Sequence, residues 1–250
     1  MDHAKLMTQA SLLRAKLGED GLSPINVFAL AQSMEKLTIV FYPMGDNLSG
    51  MCIKGQDENA LIAINSGMTI GRQRFSLAHE FYHLFYDDNM ISVCAKKMNT
   101  GKDVEQSADM FASYFLMPEA ALIMQAEKLT KGVQGKHLTL DDVIHIEQFF
   151  EVSHQAAIYR LMHTIYLDED EANEYLNLPV RSRAESLGLN SDLYKPSPVN
   201  ERYKTYGNYI NQAKQLFASK RISHGKYEEL LLCAFRDDLV YGKEEGDVID

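Results

Sequence analysis

His79-Glu80-Phe81-Tyr82-His83 has the residue types and spacing of a metal site. On a helix, residues four apart lie about 40° from one another around the axis, so two imidazoles placed this way reach one ion. Glu80 projects close beside them. Two His, a third protein ligand and a water make the open four-coordinate shell of a catalytic zinc, and the Glu is the base for that water. The flanking residues predict an interior helix. From Arg74 to Phe85 the chain reads RFSLAHEFYHLF, and Phe75, Leu77, Ala78, Phe81, Tyr82, Leu84 and Phe85 cover most of the circumference. Polar groups buried there need partners. The competing reading is a core helix whose His and Glu bond only to each other or to backbone.

A third ligand is available downstream. After Asp87 to Lys102, which reads as irregular, Val104, Ala108, Phe111, Ala112 and Phe115 form one apolar helical stripe. Glu105 and Asp109 share another face of that helix. Glu105 is the candidate third ligand, and Asp109 can accept the free N–H of a ligand His and fix its tautomer. By itself this acidic pair would read as a solvated face. Downstream of H-E-x-x-H, at a connection length that allows antiparallel helices, the ligand reading is preferred.

The run Arg72-Gln73-Arg74-Phe75-Ser76-Leu77-Ala78-His79-Glu80, then Glu105 with Ala108-Asp109 and Phe111-Ala112, then Phe115-Leu116-Met117-Pro118, resembles the ImmA/IrrE family of bacterial metallopeptidases. The resemblance extends over roughly residues 24–165. It implies a gluzincin-like centre in which His79, His83 and Glu105 hold zinc, with manganese as another activating metal, and Glu80 is the catalytic acid/base. It also implies a substrate partner, a helix-turn-helix repressor encoded nearby. One departure concerns the residue before the second His, often Gly in the family and here Tyr82, a change expected to narrow or reshape the cleft. By the same resemblance the strand ending at Asn65 borders the cleft, where an edge strand can pair with an extended substrate; it reads equally well as simply the third strand of a sheet. Tyr159, Arg160 and His163 are candidates to reach the cleft and stabilise an oxyanion.

Composition is compatible with this. With 46% hydrophobic and 24% charged residues, 250 residues suit a globular chain with one main core. A formal net charge of -10 disfavours unspecific binding to DNA phosphates or anionic lipid and favours a basic partner. Cys52, Cys94 and Cys233 are too few and too widely spaced for a disulfide framework or a metal pair, so each is expected to be a small buried apolar residue. The first twenty residues lack the apolar core of a signal peptide, and no stretch is long enough to span a membrane. The expected location is the cytoplasm, with no membrane partner.

The expected fold class is α+β: a zincin-like domain over residues 1–130, made of a small antiparallel sheet plus helices. Ser23-Pro24 reads as the start of a helix carrying Val27, Leu30, Ala31 and Met34 inward. Strands are expected at Leu37 to Tyr42, Gly50 to Lys54 and Ala60 to Asn65. A helix-turn-helix-like segment follows at 131–168, with helices Leu140 to Phe150 and His154 to Leu167. Its acidic first helix (Asp141, Asp142, Glu147) argues against direct nucleic-acid binding. Residues 169–201 read as a linker with a short helix inside it, 202–241 as a C-terminal helical hairpin with helices Tyr203 to Ser219 and His224 to Leu239, and 242–250 as a disordered tail. The function expected is zinc-dependent hydrolysis of a peptide bond in a repressor. The alternatives are a metal-containing module that binds its partner without hydrolysis and a DNA-binding regulator.

Overall fold

The computed structural model describes residues 2–95 and 103–242. The first half runs α1 (His3–Lys16), α2 (Val27–Ser33), β1 (Leu37–Tyr42), β2 (Leu48–Lys54), β3 (Ala60–Asn65), α3 (Ile70–Tyr86), β4 (Ile91–Ala95) and α4 (Asp103–Leu116). Then come α5 (Glu119–Thr130), α6 (Leu140–Phe150), α7 (His154–Leu161), α8 (Glu169–Tyr175), α9 (Val180–Ser186), β5 (Lys204–Gly207), α10 (Asn208–Ala218), α11 (His224–Cys233) and α12 (Asp237–Tyr241). The mixture of helices with one sheet is the expected α+β class.

The sheet is larger than expected and not purely antiparallel. Its order is β4-β2-β3-β1-β5. β1 and β3 run parallel, while every other pair is antiparallel. The additions are both edge strands. β4 lies in the stretch read as irregular, and β5 lies where a helix from Tyr203 was expected. Strands this short carry too few alternations to register as a period; a neighbouring strand, not their own sequence, specifies them. The strand ending at Asn65 is central, flanked by β1 and β2, and so cannot offer a free edge to a substrate.

α3 is buried along most of its length, as its all-round apolarity requires. It meets α4 through aromatic contacts: Phe81 stands edge-on to Phe115 at 5.8 Å and Phe111 stacks on Phe115 at 5.7 Å. Two buried guanidiniums fasten this pair to its surroundings. Arg14 of α1 donates to the carbonyls of Phe115 (2.7 Å), Asp20 and Ser23 (both 2.6 Å), supplying a partner to one of the orphan carbonyls at the end of α4. Arg74 of α3 donates to the carbonyls of Ile25 (2.5 Å) and Glu151 (2.8 Å). At Gly71 a Cβ would stand 2.8 Å from the backbone nitrogen of Ser153, so glycine lets α3 touch the α6–α7 turn.

α2 begins later than expected. Asn26 caps it by accepting from Ala29 N at 3.1 Å, whereas Ser23 belongs to a preceding turn organised by Asp20. α6 has a Thr139–Asp142 capping box, and Ser153 caps α7, which ends at Leu161. Residues 169–201 are more than a linker: they contain α8 and α9, bury Ala172, Ala184 and Leu193, and join Ser197 to Gln73 of α3 at 3.2 Å. In the C-terminal part, Phe217 of α10 stacks on Tyr227 of α11 at 4.8 Å, and β5 ties the unit to β1. The expected tail from 243 on, and residues 96–102 of the stretch read as irregular, lie outside the described residues.

Candidate metal centre

α3 brings His79 and His83 together with their Nε2 atoms 3.2 Å apart. Glu105, in the first turn of α4, faces both: its carboxylate oxygens lie 3.4 Å from His79 Nε2 and 3.6 Å from His83 Nε2. A tetrahedral ion with bonds of about 2.0–2.1 Å holds its ligand atoms roughly 3.3–3.4 Å apart. The observed separations match that requirement, and the donor set is the two-His, one-carboxylate set of catalytic zinc.

The rings are oriented from behind. His79 Nδ1 donates to Asp109 Oδ1 at 2.8 Å, one turn after Glu105 on α4. His83 Nδ1 donates to Asp87 Oδ2 at 2.8 Å, just past the end of α3. Each proton thus sits on Nδ1, and each Nε2 lone pair points inward. Asp87 was missed in the sequence reading; the signal was its i+4 position from His83, obscured because it falls outside the apolar run.

Electrostatics follow from burial. Burial opposes charge on His79, but hydrogen bonds to Asp109, Cys94 and Glu105 prevail and raise its pKa well above the ordinary histidine value. Burial lowers that of His83 in spite of Asp87. The hydrogen bond from His79 holds Glu105 below the usual carboxylate range. Without metal, positive charge concentrates on His79, and a bound cation replaces that proton.

Glu80 is fully buried, and burial pushes its carboxyl up to about 7. Ser92 Oγ is 3.5 Å from its Oε2, while Oε1 has no hydrogen-bond partner among the described residues. A proton shuttle operates best with a pKa near the working pH. Gly50 of β2 makes room for it: a Cβ there would lie 2.8 Å from Glu80 Oε1.

Cys94 was not expected here. It is fully buried, and its Sγ groups with ligand atoms of His79, His83 and Glu105, all within 4.8 Å of one another. Burial pushes the thiol up to about 12. No spacing signal could have found it, because its position depends on β4 pairing with β2. The expectation of burial holds at Cys52 and Cys94 and fails at Cys233, which is exposed.

Two of the other candidates, Asn65 and Arg160, are engaged elsewhere. The Asn65 amide is spent on Met44 N, Gly67 N and the carbonyls of Gly45 and Leu48, pinning the β1–β2 loop. Arg160 is buried, pairs with Glu119 and lies 4.7 Å above the Tyr114 ring. Tyr159 and His163 line a cavity of about 270 Å3 shared with Asp109 and Ser113. Tyr159 also lines a cleft of about 940 Å3 that includes Arg72 and Gln155. Tyr82 packs against Phe111 at 5.7 Å and Tyr86 at 6.1 Å, so its bulk is accommodated in the α3–α4 seam.

A sheet-backed helix carrying two histidines, completed by an acid from the next helix, defines a zincin-like class of fold and site. A family model described as "IrrE N-terminal-like domain", of the M78 peptidases, matches residues 35–162, and the chain belongs to this family. It is 28% identical over 194 residues to the "Radiation response metalloprotease IrrE" of Deinococcus deserti, a match covering 72% of this chain and 66% of that protein. The aligned part is just under two thirds of the relative's length.

Proposed function

We propose that the chain is a zinc-dependent endopeptidase that cuts an exposed segment of a helix-turn-helix transcriptional repressor in the cytoplasm. One observation carries the chemistry: two imidazole Nε2 atoms and a carboxylate converge at metal-ligand separations beside a buried carboxyl with an unpartnered oxygen. His79, His83 and Glu105 hold the ion, and Asp109 and Asp87 hold the rings. Zinc bound there supplies Lewis acidity, activating water at neutral pH and polarising the scissile carbonyl. Glu80 takes the proton of the attacking water and passes it to the departing amine. Arg72 and Tyr159 line a neighbouring cleft, and Tyr159 also lines the smaller cavity that Asp109 borders.

The repressor and the cytoplasmic setting rest on the family and on charge. A net charge of -10 attracts a basic DNA-binding protein. Among the described residues no helix is long and apolar enough to cross a membrane. The test incubates the purified full chain with zinc or manganese and the repressor encoded by the adjacent gene. A discrete cut that disappears with chelator and in Glu80→Gln is the expected outcome. No cut in any metal, by the wild type or by Cys94→Ser, which lacks the thiol beside the three metal ligands, with the repressor intact by mass spectrometry, sinks the assignment.

A further inference from the structure

Gluzincin-type chemistry needs an open coordination position, yet four potential ligand side chains meet here. Three come from helices packed in the core. The fourth, Cys94, comes from β4, an edge strand that among the described strands pairs with β2 alone. Strand alternation explains its aim. Ser92 and Cys94 face α3, Ser92 reaching Glu80 and Cys94 reaching the imidazoles, while Ile91 and Val93 are 63% and 54% exposed. β4 runs antiparallel to β2, pairing Cys94 with Gly50 and Ser92 with Cys52. Gly50 is the residue whose missing side chain admits Glu80. β4 therefore covers the sheet edge directly over the catalytic carboxyl and leaves no free edge on β2. An extended substrate entering by β-addition needs that edge. The unpartnered Glu80 Oε1 lies under the same Gly50–Cys94 pair, so the acid is in place while the strand above it is part of this chain.

We propose that β4 occupies the substrate's place and that Cys94 Sγ is the fourth metal ligand, which keeps the enzyme latent until β4 leaves β2. The inference rests on the metallopeptidase reading above. On metal binding the Cys94 thiol loses its proton to solvent and the sulfur takes the position that the reaction assigns to water. Displacing β4 removes ligand and strand together and reopens both the coordination position and the β2 edge. A five-residue edge strand belongs to the least stable class of local structure, whereas His79, His83 and Glu105 stay in the helical core.

The full chain loaded with cobalt(II) provides the test. The wild type is expected to show an intense near-ultraviolet thiolate-to-cobalt band, absent in Cys94→Ser and retained in Cys52→Ser and Cys233→Ser. A small peptide hydroxamate, which needs the open position, is expected to bind the cobalt form of Cys94→Ser roughly tenfold or more tighter than wild type. X-ray absorption of the wild-type zinc protein requires no variant and is expected to show a sulfur neighbour at about 2.3 Å. Cobalt bound without a thiolate band, or zinc with only nitrogen and oxygen neighbours, overturns the proposal and leaves the peptidase reading intact. Failure of the chain to bind cobalt or zinc overturns both.

Discussion

Histidine faces a carboxylate both at the α6–α7 corner and between α3 and α4, with opposite outcomes. At the α6–α7 corner, His154 Nδ1 meets Glu147 Oε1 at 2.5 Å, His154 Nε2 meets the Tyr175 carbonyl at 2.9 Å, and Tyr194 donates to Glu147 Oε2 at 2.8 Å. Every polar side-chain atom there has a protein partner, and the group acts as a clasp joining α6, α7, α8 and the 192–194 turn. At α3–α4 the Nδ1 atoms are equally well bonded, but the Nε2 atoms face each other and a carboxylate across a gap. Two imidazole nitrogens and a carboxylate gathered in a buried gap need positive charge between them, a proton on His79 without metal or a bound cation in its place. A buried histidine alone therefore says little. Function is indicated where the second nitrogen converges with others.

The largest effect expected from this contrast is at Glu80. Glu80→Gln keeps the size of the side chain but removes its basicity, and cleavage is expected to fall roughly 10^2- to 10^4-fold. Cobalt binding, read by its absorption, remains. His154→Gln, in the clasp, is expected to leave kcat within about twofold after correction for folded fraction. A comparable loss of kcat from both variants would erase the distinction.

Next come the carboxylates behind the rings. Asp109→Asn and Asp87→Asn each weaken the hold on a ligand imidazole, and zinc affinity is expected to drop about 10- to 100-fold. Competition against a chromophoric chelator measures this. Unchanged affinity in both variants would mean the rings are oriented by packing alone. Gly50→Ala should be milder: its Cβ, 3.0 Å from the Ala63 carbonyl and closer still to Glu80, forces the strand or the carboxyl to shift. Overpacking of this kind costs roughly 1–3 kcal/mol. A lowered kcat at unchanged zinc affinity is the expected signature, because Glu80 and not a ligand is displaced.

The parts of this arrangement that the sequence displays are those set by helical period. His79, His83, Glu105 and Asp109 all fall four apart on two amphipathic or apolar helices, and β1 and β3 were delimited by their β-branched runs and flanking turns. What was hidden depends on contacts between distant segments. β4 and β5 gain their strand character from β2 and β1; Cys94 gains its place from β4; Asn65, expected at the cleft, is drawn into the β1–β2 loop by four backbone hydrogen bonds. Arg160 shows the same rule in reverse: it reads as a chemical candidate, and its pairing with Glu119 makes it part of the packing.

The smallest effect sharpens the comparison from the structural side. His154 has its pKa raised: burial opposes its charge, but the bond to Glu147 prevails. Burial likewise raises that of Glu147. Both folded values lie above the unfolded ones, so the stabilisation is complete below the unfolded values and is lost as pH rises through the folded ones. Metal-loaded wild type should therefore lose part of its resistance to urea as pH rises above the ordinary histidine value of about 6.5. His154→Gln combined with Glu147→Gln, which removes both titrating groups, should show a flatter profile across that range. An identical slope in both proteins would mean that the clasp keeps its protons throughout, and that the pH dependence arises elsewhere in the fold.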